Sequence, residues 1–293
     1  MKNRRSFEEL ELAVSKIISD FSPGIHLSRF NERTAEIDTI HLYQPGDRRL
    51  DAKATARTRM PMYRTFNPEK ALTLFLAMDI SASQLHGLAE ENKLELGVQA
   101  AFFLAKAAAN ANDRIGLIAF DNEIRYFSEP KHDEEEIANY LRMIFERQTE
   151  ARPGTNLEKT LEKLLSWEPR NALVALISDF CLPVEQETLN LLRQIANQEN
   201  TTLLSIITTS SQEMPLSLPF SAEISDSEAE GKSLNWNFHS PKEALAYQNS
   251  VAIWREKLTA DLRRAGSEAV FLDINQDNPL MNLVRYFLNT ETA

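Results

Sequence analysis

The chain has 293 residues, 43% hydrophobic and 26% charged, enough for one large globular domain or two ordinary ones. Its net charge of −11 is unevenly placed: residues 1–70 carry +3 and the rest −14, so the body of the protein repels nucleic acid and anionic membrane surfaces. Eight glycines leave little for the glycine-rich loops of dinucleotide folds, and one cysteine, Cys181, excludes an internal disulfide and fits a reducing compartment.

The N-terminal stretch "MKNRRSFEELELAV" is charged and then amphipathic, without the apolar core of a secretion signal or the ~20 apolar residues of a membrane span. We therefore expect a cytoplasmic protein with no membrane insertion. Apolar residues at Phe7, Leu10, Val14, Ile17, Ile18 and Phe21 predict an amphipathic helix over 5–21, stopped by "SPG" at 22–24. Residues up to 70 read as extended and turn-rich, with Pro45-Gly46 supplying turn chemistry. Within them Arg48, Arg49, Lys53, Arg57, Arg59, Arg64 and Lys70 form a basic cluster with few interleaved aromatics. That composition favours an intramolecular or protein-facing charged surface over a nucleic-acid groove. Residues 1–70 are thus read as a helix and extended segment packed onto a main domain at 71–293.

From residue 71 strands and helices alternate. "LTLFLAMDI" reads as a buried strand, "KLELGVQAAFFLAKAAANA" as a helix, "RIGLIAF" as a second strand and "EIRYFSE" as its short partner. Helices at 133–149 and 156–166, the strand "ALVALIS", a helix near 185–198 and the strand "TLLSIIT" follow. The Ser- and Pro-rich stretch 214–238 predicts a hairpin or loop excursion. A long helix after 240–241, the strand "EAVFLDI" and the helix "PLMNLVRYFLN" close the chain. This order implies a doubly wound, mainly parallel α/β sheet with helices on both faces.

In open sheets of this kind, ligands sit beyond the carboxyl ends of the strands. Asp79, Ser81 and Ser83 leave the first such strand, Thr155 precedes the helix at 156, and Ser178-Asp179 follow "ALVALIS". If the segment after Asp79 stays extended, its alternate residues point to one side and converge. Two carboxylates and three hydroxyls supply only oxygen, which suits a hard ion such as Mg²⁺, with Mn²⁺ or Ca²⁺ as alternatives. The competing reading is a set of turn and cap hydrogen bonds. Thr155 is part of that ambiguity, because either Thr155 or Asn156 could cap the following helix.

"DISAS", "GTNL" and "LISDF", in this order, resemble the metal-ion-dependent adhesion site of von Willebrand factor A-type domains. The resemblance implies that Ser81 and Ser83 ligate directly, that Thr155 ligates directly or through water, and that Asp79 and Asp179 act mainly through water. A sixth position would stay open for a partner's carboxylate. The longer stretch "HLYQPGDRRLDAKATARTRMPMYRTFNPEKALTLFLAMDISAS" is similar to the bacterial family catalogued as the fifty-eighth domain of unknown function. That family has a doubled aspartate after Pro-Gly and a tryptophan a few residues on; here Asp47 stands alone and Ala52 holds the tryptophan position. The resemblance implies an A-type fold and a MoxR-type AAA+ ATPase as partner, with the chain as adaptor or co-chaperone for a client protein.

A catalytic alternative is a Mg²⁺-dependent phosphohydrolase of the haloacid dehalogenase type, which needs a second acid two residues after the strand-end aspartate. Ser81 stands there, so the general acid is missing and a non-enzymatic role is expected. Cys181 has no histidine paired with it by any motif and reads as a partly buried structural thiol, and His86 as a loop residue.

Overall fold

The computed structural model describes residues 6–21, 37–42, 55, 62–66, 72–85, 92–147, 154–181, 184–210, 221–225, 233–237 and 241–289. Helix α1 (Phe7–Phe21) is followed by two strands, β1 (Ile37–Leu42) and β2 (Met62–Phe66), which pair antiparallel. The main sheet then begins with β3 (Thr73–Asp79), α2 (Lys93–Asn110), β4 (Arg114–Phe120) and β5 (Ile124–Lys131). It continues through α3 (Glu134–Glu146), α4 (Leu157–Ser166), β6 (Ala172–Ser178), α5 (Gln186–Ala196) and β7 (Thr201–Thr209). Strands β8 (Ser221–Ser225) and β9 (Ser233–Asn237) pair antiparallel within the stretch read as a hairpin excursion. Helix α6 (Pro241–Arg264), β10 (Ser267–Asp273) and α7 (Met281–Asn289) end the described chain. The basic cluster lies largely outside the described residues, as does His86.

The six-stranded sheet has the order β10-β7-β6-β3-β4-β5, parallel throughout except for β5, which runs antiparallel to β4 at one edge. This is the doubly wound, mainly parallel α/β architecture that the alternation of elements predicts. Every residue of β3 and β6 is buried, which is why both read as near-continuous apolar runs: helices cover both faces. Side chains alternate between those faces. Leu74, Leu76 and Met78 of β3 face a core shared with α1, α2, α3 and α7, whereas Phe75 and Ala77 face α4, α5 and α6.

The chain leaves β3 through α2 toward β4 on one side, while β6, on the other side of β3, leads through α5 to β7. Successive connections therefore diverge between β3 and β6. A crevice opens where they part, at the carboxyl ends of these two strands. Gly97 lets α2 press close to that place: a Cβ there would lie 3.3 Å from both Ile177 Cγ2 and Met78 Cε. Lys93, one helical turn earlier on the same face, is carried over the strand ends by this approach.

Helix α1 forms a further layer outside α2 and α3. Phe7, Leu10, Val14 and Ile18, at helical spacing, are buried, and the Phe7 ring lies 6.1 Å from Phe102 and 5.8 Å from Phe145, with the Arg142 guanidinium 5.2 Å above it. Among the described residues, no helix is long and apolar enough to cross a membrane. Phe7→Ala is expected to destabilise the protein by about 3 kcal/mol, through lost burial and a cavity beside two aromatic rings. Leu12→Ala, at an exposed position of the same helix, should stay within about 0.5 kcal/mol of wild type. Equilibrium urea unfolding followed by circular dichroism measures both.

Candidate functional site

The crevice is built from the last residues of β3 and β6 and the turns that follow. Asp79 ends β3, and its Oδ1 accepts the Ser81 backbone N–H at 2.9 Å. Its Oδ2 accepts the Ser178 hydroxyl at 2.7 Å, a bond that ties the end of β3 to the end of β6. The same Ser178 Oγ accepts the Phe180 N–H at 3.1 Å. The chain after Asp79 is not extended, as its alternation suggested; it turns into a 3-10 helix at Ala82–Leu85, closed by Gln84 N–H donating to the Ser81 carbonyl at 3.1 Å. The two serine hydroxyls still meet, at 3.1 Å, because the tight turn folds Ser83 back beside Ser81. Thr208 of β7 donates to Gln84 Oε1 at 3.0 Å and anchors the turn from below.

The third segment arrives from the loop before α4. Gly154 has φ +92°, and Asn156 N–H donates to the Asp121 carbonyl at 2.9 Å, which fixes the loop to the end of β4. Asn156 is the residue that caps α4, accepting Lys159 N–H at 3.0 Å. That resolves the choice between Thr155 and Asn156 and leaves the Thr155 hydroxyl without a hydrogen bond to any described residue.

These segments enclose an open cleft of about 370 Å³, lined by Asp79, Ser83, Thr155 and Asp179, with Glu158 and Cys181 among the surrounding residues. Ser81 is fully buried, and its hydroxyl lies 3.1 Å from that of Ser83, which lines the cleft. Cys181 is exposed, not partly buried. Phe180, held at φ +50°, turns its ring into the core, and the next residue emerges on the surface. A left-handed conformation at a bulky residue costs on the order of 1 kcal/mol or more, and such strain concentrates at functional sites. Cys181 N–H also donates to Asp179 Oδ1 at 3.2 Å.

The electrostatics are unusual. Asp79 and Asp179 are 2% and 3% exposed. Burial first, and the neighbouring Asp179 charge second, push the Asp79 carboxyl up to about 7 against the pull of its bonds to Ser178 and Ser81. The counter-charge is Lys93, whose Nζ donates to Asp179 Oδ2 at 2.8 Å, with both side chains almost wholly buried. Sequence reasoning missed Lys93, which lies 86 residues from its partner, and gave Ser178 no role of its own. The one signal for Lys93 was local: a cation at the first position of a helix opposes the helix dipole.

Two buried carboxylates share one ammonium, and the Thr155 hydroxyl, without a hydrogen bond to any described residue, lines the same cleft. This donor set fits a hard cation. Among the described residues there is no group of three or more His, Cys, Asp or Glu side chains that could hold a metal, so the fit depends on hydroxyl oxygens.

The family model described as Protein of unknown function DUF58 matches residues 39–271. The uncharacterized protein Rv1480 of Mycobacterium tuberculosis (strain ATCC 25618 / H37Rv) is 28% identical over 209 residues, 70% of this chain, and the match spans 65% of the relative's length. The same figures hold for the uncharacterized protein Mb1516 of Mycobacterium bovis. Among solved structures, the conserved hypothetical protein BatB from Bacteroides thetaiotaomicron shares 14% identity, with 75% of this chain and 98% of that one covered, at TM-score 0.49. The vWF domain of a type V pili tip protein from Porphyromonas gingivalis shares 12%, covering 75% and 85%, at TM-score 0.32.

Two expectations follow from the geometry. Because the Asp79 carboxyl is raised from 3.8 to about 7 by folding, the folded state holds a proton that the unfolded state has lost between those values. Its contribution to stability is therefore full below about 3.8 and is lost as pH rises through about 7. In chelator, wild type should lose more stability than Asp79→Asn between pH 5 and pH 8, measured by urea unfolding at each pH. Ser178→Ala removes the donor to Asp79 and the acceptor for Phe180 N–H, and should cost about 1–3 kcal/mol in the same assay.

Proposed function

The chain belongs to the DUF58 family, and from that premise we propose that it is a metal-dependent protein-binding adaptor that engages an acidic residue of a partner. The observation that carries this reading is the meeting of Asp79, Ser83, Thr155 and Asp179 around one open cleft at the β3–β6 switch point. Ser81, Ser83 and Thr155 would hold Mg²⁺, or Mn²⁺ or Ca²⁺, through their hydroxyls, with Asp79 and Asp179 accepting from ion-bound water. When bound, the ion supplies an electrophilic position that a partner's Glu or Asp can complete. The chain's own part is positional: Ser178 fixes the Asp79 carboxylate, the 3-10 turn fixes Ser83, and capping by Asn156 keeps Thr155 available.

A binding role fits the site better than turnover. Ser81 occupies the position where a phosphohydrolase needs its acid, and no histidine is among the described residues lining the cleft beside Cys181. The partner class we propose is a MoxR-type AAA+ ATPase, with the chain as co-chaperone or adaptor for a client in the cytoplasm; this follows from the family resemblance.

Thermal unfolding with EDTA and with millimolar Mg²⁺ or Mn²⁺ tests the ion. A ligand that binds only the native state stabilises it by about 2.7 kcal/mol at a hundredfold excess over Kd. Wild type should gain stability with the ion and Asp79→Ala should gain none. Calorimetric titration with the MoxR-type ATPase tests the adaptor: binding should be lost in EDTA and in Thr155→Ala, whose fold should be intact. Binding indifferent to both changes would remove the metal from the recognition mechanism.

A further inference from the structure

The buried Lys93–Asp179 pair is not accounted for by the proposed recognition mechanism. Lysine is almost never fully buried unless paired, and Lys93 is 2% exposed. It stands at the first position of α2, where the helix dipole disfavours a cation, and the close approach allowed at Gly97 brings that helix end over the crevice. Its ammonium lies 2.8 Å from Asp179 Oδ2, whose other oxygen accepts Cys181 N–H, so the carboxylate proposed to face the ion already has a cation of the protein's own.

We propose that Lys93 is the resident counter-cation of the cleft, and that a divalent ion is taken up in exchange for its ammonium, so that Lys93 sets how tightly the site holds metal. This rests on the metal-site reading above. The physical reason is charge: buried carboxylates demand a cation whether or not an ion is present. With Lys93 in place that demand is partly met, and the metal-free protein keeps its fold. An incoming Mg²⁺ then competes with a pre-placed ammonium instead of entering a bare dicarboxylate. Occupancy becomes conditional on ion concentration and coupled to the start of α2, through the side chain that must leave Asp179.

The test uses the full-length protein. Calorimetric titration with Mn²⁺ should show Lys93→Met and Lys93→Gln binding about tenfold or more tighter than wild type, because a positive charge close to the ion has been removed. In ¹⁵N-lysine-labelled wild type, the protected Lys93 ammonium resonance should disappear as Mg²⁺ is added. Lys93→Gln keeps a donor for Asp179 and guards against loss of fold in Lys93→Met, and the resonance needs no variant at all. Affinities equal to wild type in the folded variants, or a Lys93 resonance unchanged at Mg²⁺ saturation, would overturn exchange while leaving the metal site standing. Absence of ion binding in wild type and both variants would overturn the metal reading, and exchange with it. Binding by the variants alone would support the exchange, with Lys93 out-competing the ion in wild type.

Discussion

Repulsion between Asp79 and Asp179, in a place where neither carboxylate reaches bulk water freely, is the constraint to which the rest of the β3–β6 crevice responds. In water the two charges would be screened; here burial and proximity act together, and the Asp79 carboxyl is held near 7. Among the described residues, backbone N–H groups, a hydroxyl and an ammonium donate to the two carboxylates. Ser81 N–H and the Ser178 hydroxyl point at Asp79, and Lys93 and Cys181 N–H point at Asp179. The donors come from three segments of chain, so the site exists only when β3, β6 and α2 are packed together.

The scaffold places those donors by ordinary means. Parallel pairing of β3 with β6 sets Met78 opposite Ile177 and brings the two strand ends level. Gly97 removes the side chain that would hold α2 away, and the Thr208–Gln84 bond connects the turn bearing Ser83 to β7. Phe180 accepts a left-handed backbone so that its ring can stay in the core while Asp179 stays in the crevice. Glu168 also takes a left-handed backbone, at φ +47° beyond α4, but the breaks of local rules at Lys93 and Phe180 both adjoin Asp179. Such a coincidence is expected of a site whose geometry is over-determined by its surroundings.

Outside the site the molecule is conventional. Two apolar layers sandwich the sheet, and α1 adds a further layer through an aromatic contact among Phe7, Phe102 and Phe145. The crevice lies at the carboxyl ends of β3 and β6, where the Ser178–Asp79 and Lys93–Asp179 contacts serve the fold as well as the site.

The sequence alone determined the class of the fold, because period-2 and period-3.6 apolar patterns are local and survive without knowledge of neighbours. The runs in β3 and β6 announced strands buried on both sides, and α1 announced one buried stripe. Asp79, Ser81, Ser83 and Asp179 were also legible as strand-exit residues, since carboxyl ends of strands are predictable from the strands themselves, and Thr155 as a residue just before a helix. Only tertiary structure could decide that the chain after Asp79 turns into a 3-10 helix, that Asn156 takes the cap, and that Cys181 is exposed. Most of all, it decided that Lys93 meets Asp179, because an ion pair across 86 residues is fixed by packing and leaves no periodic trace in either segment.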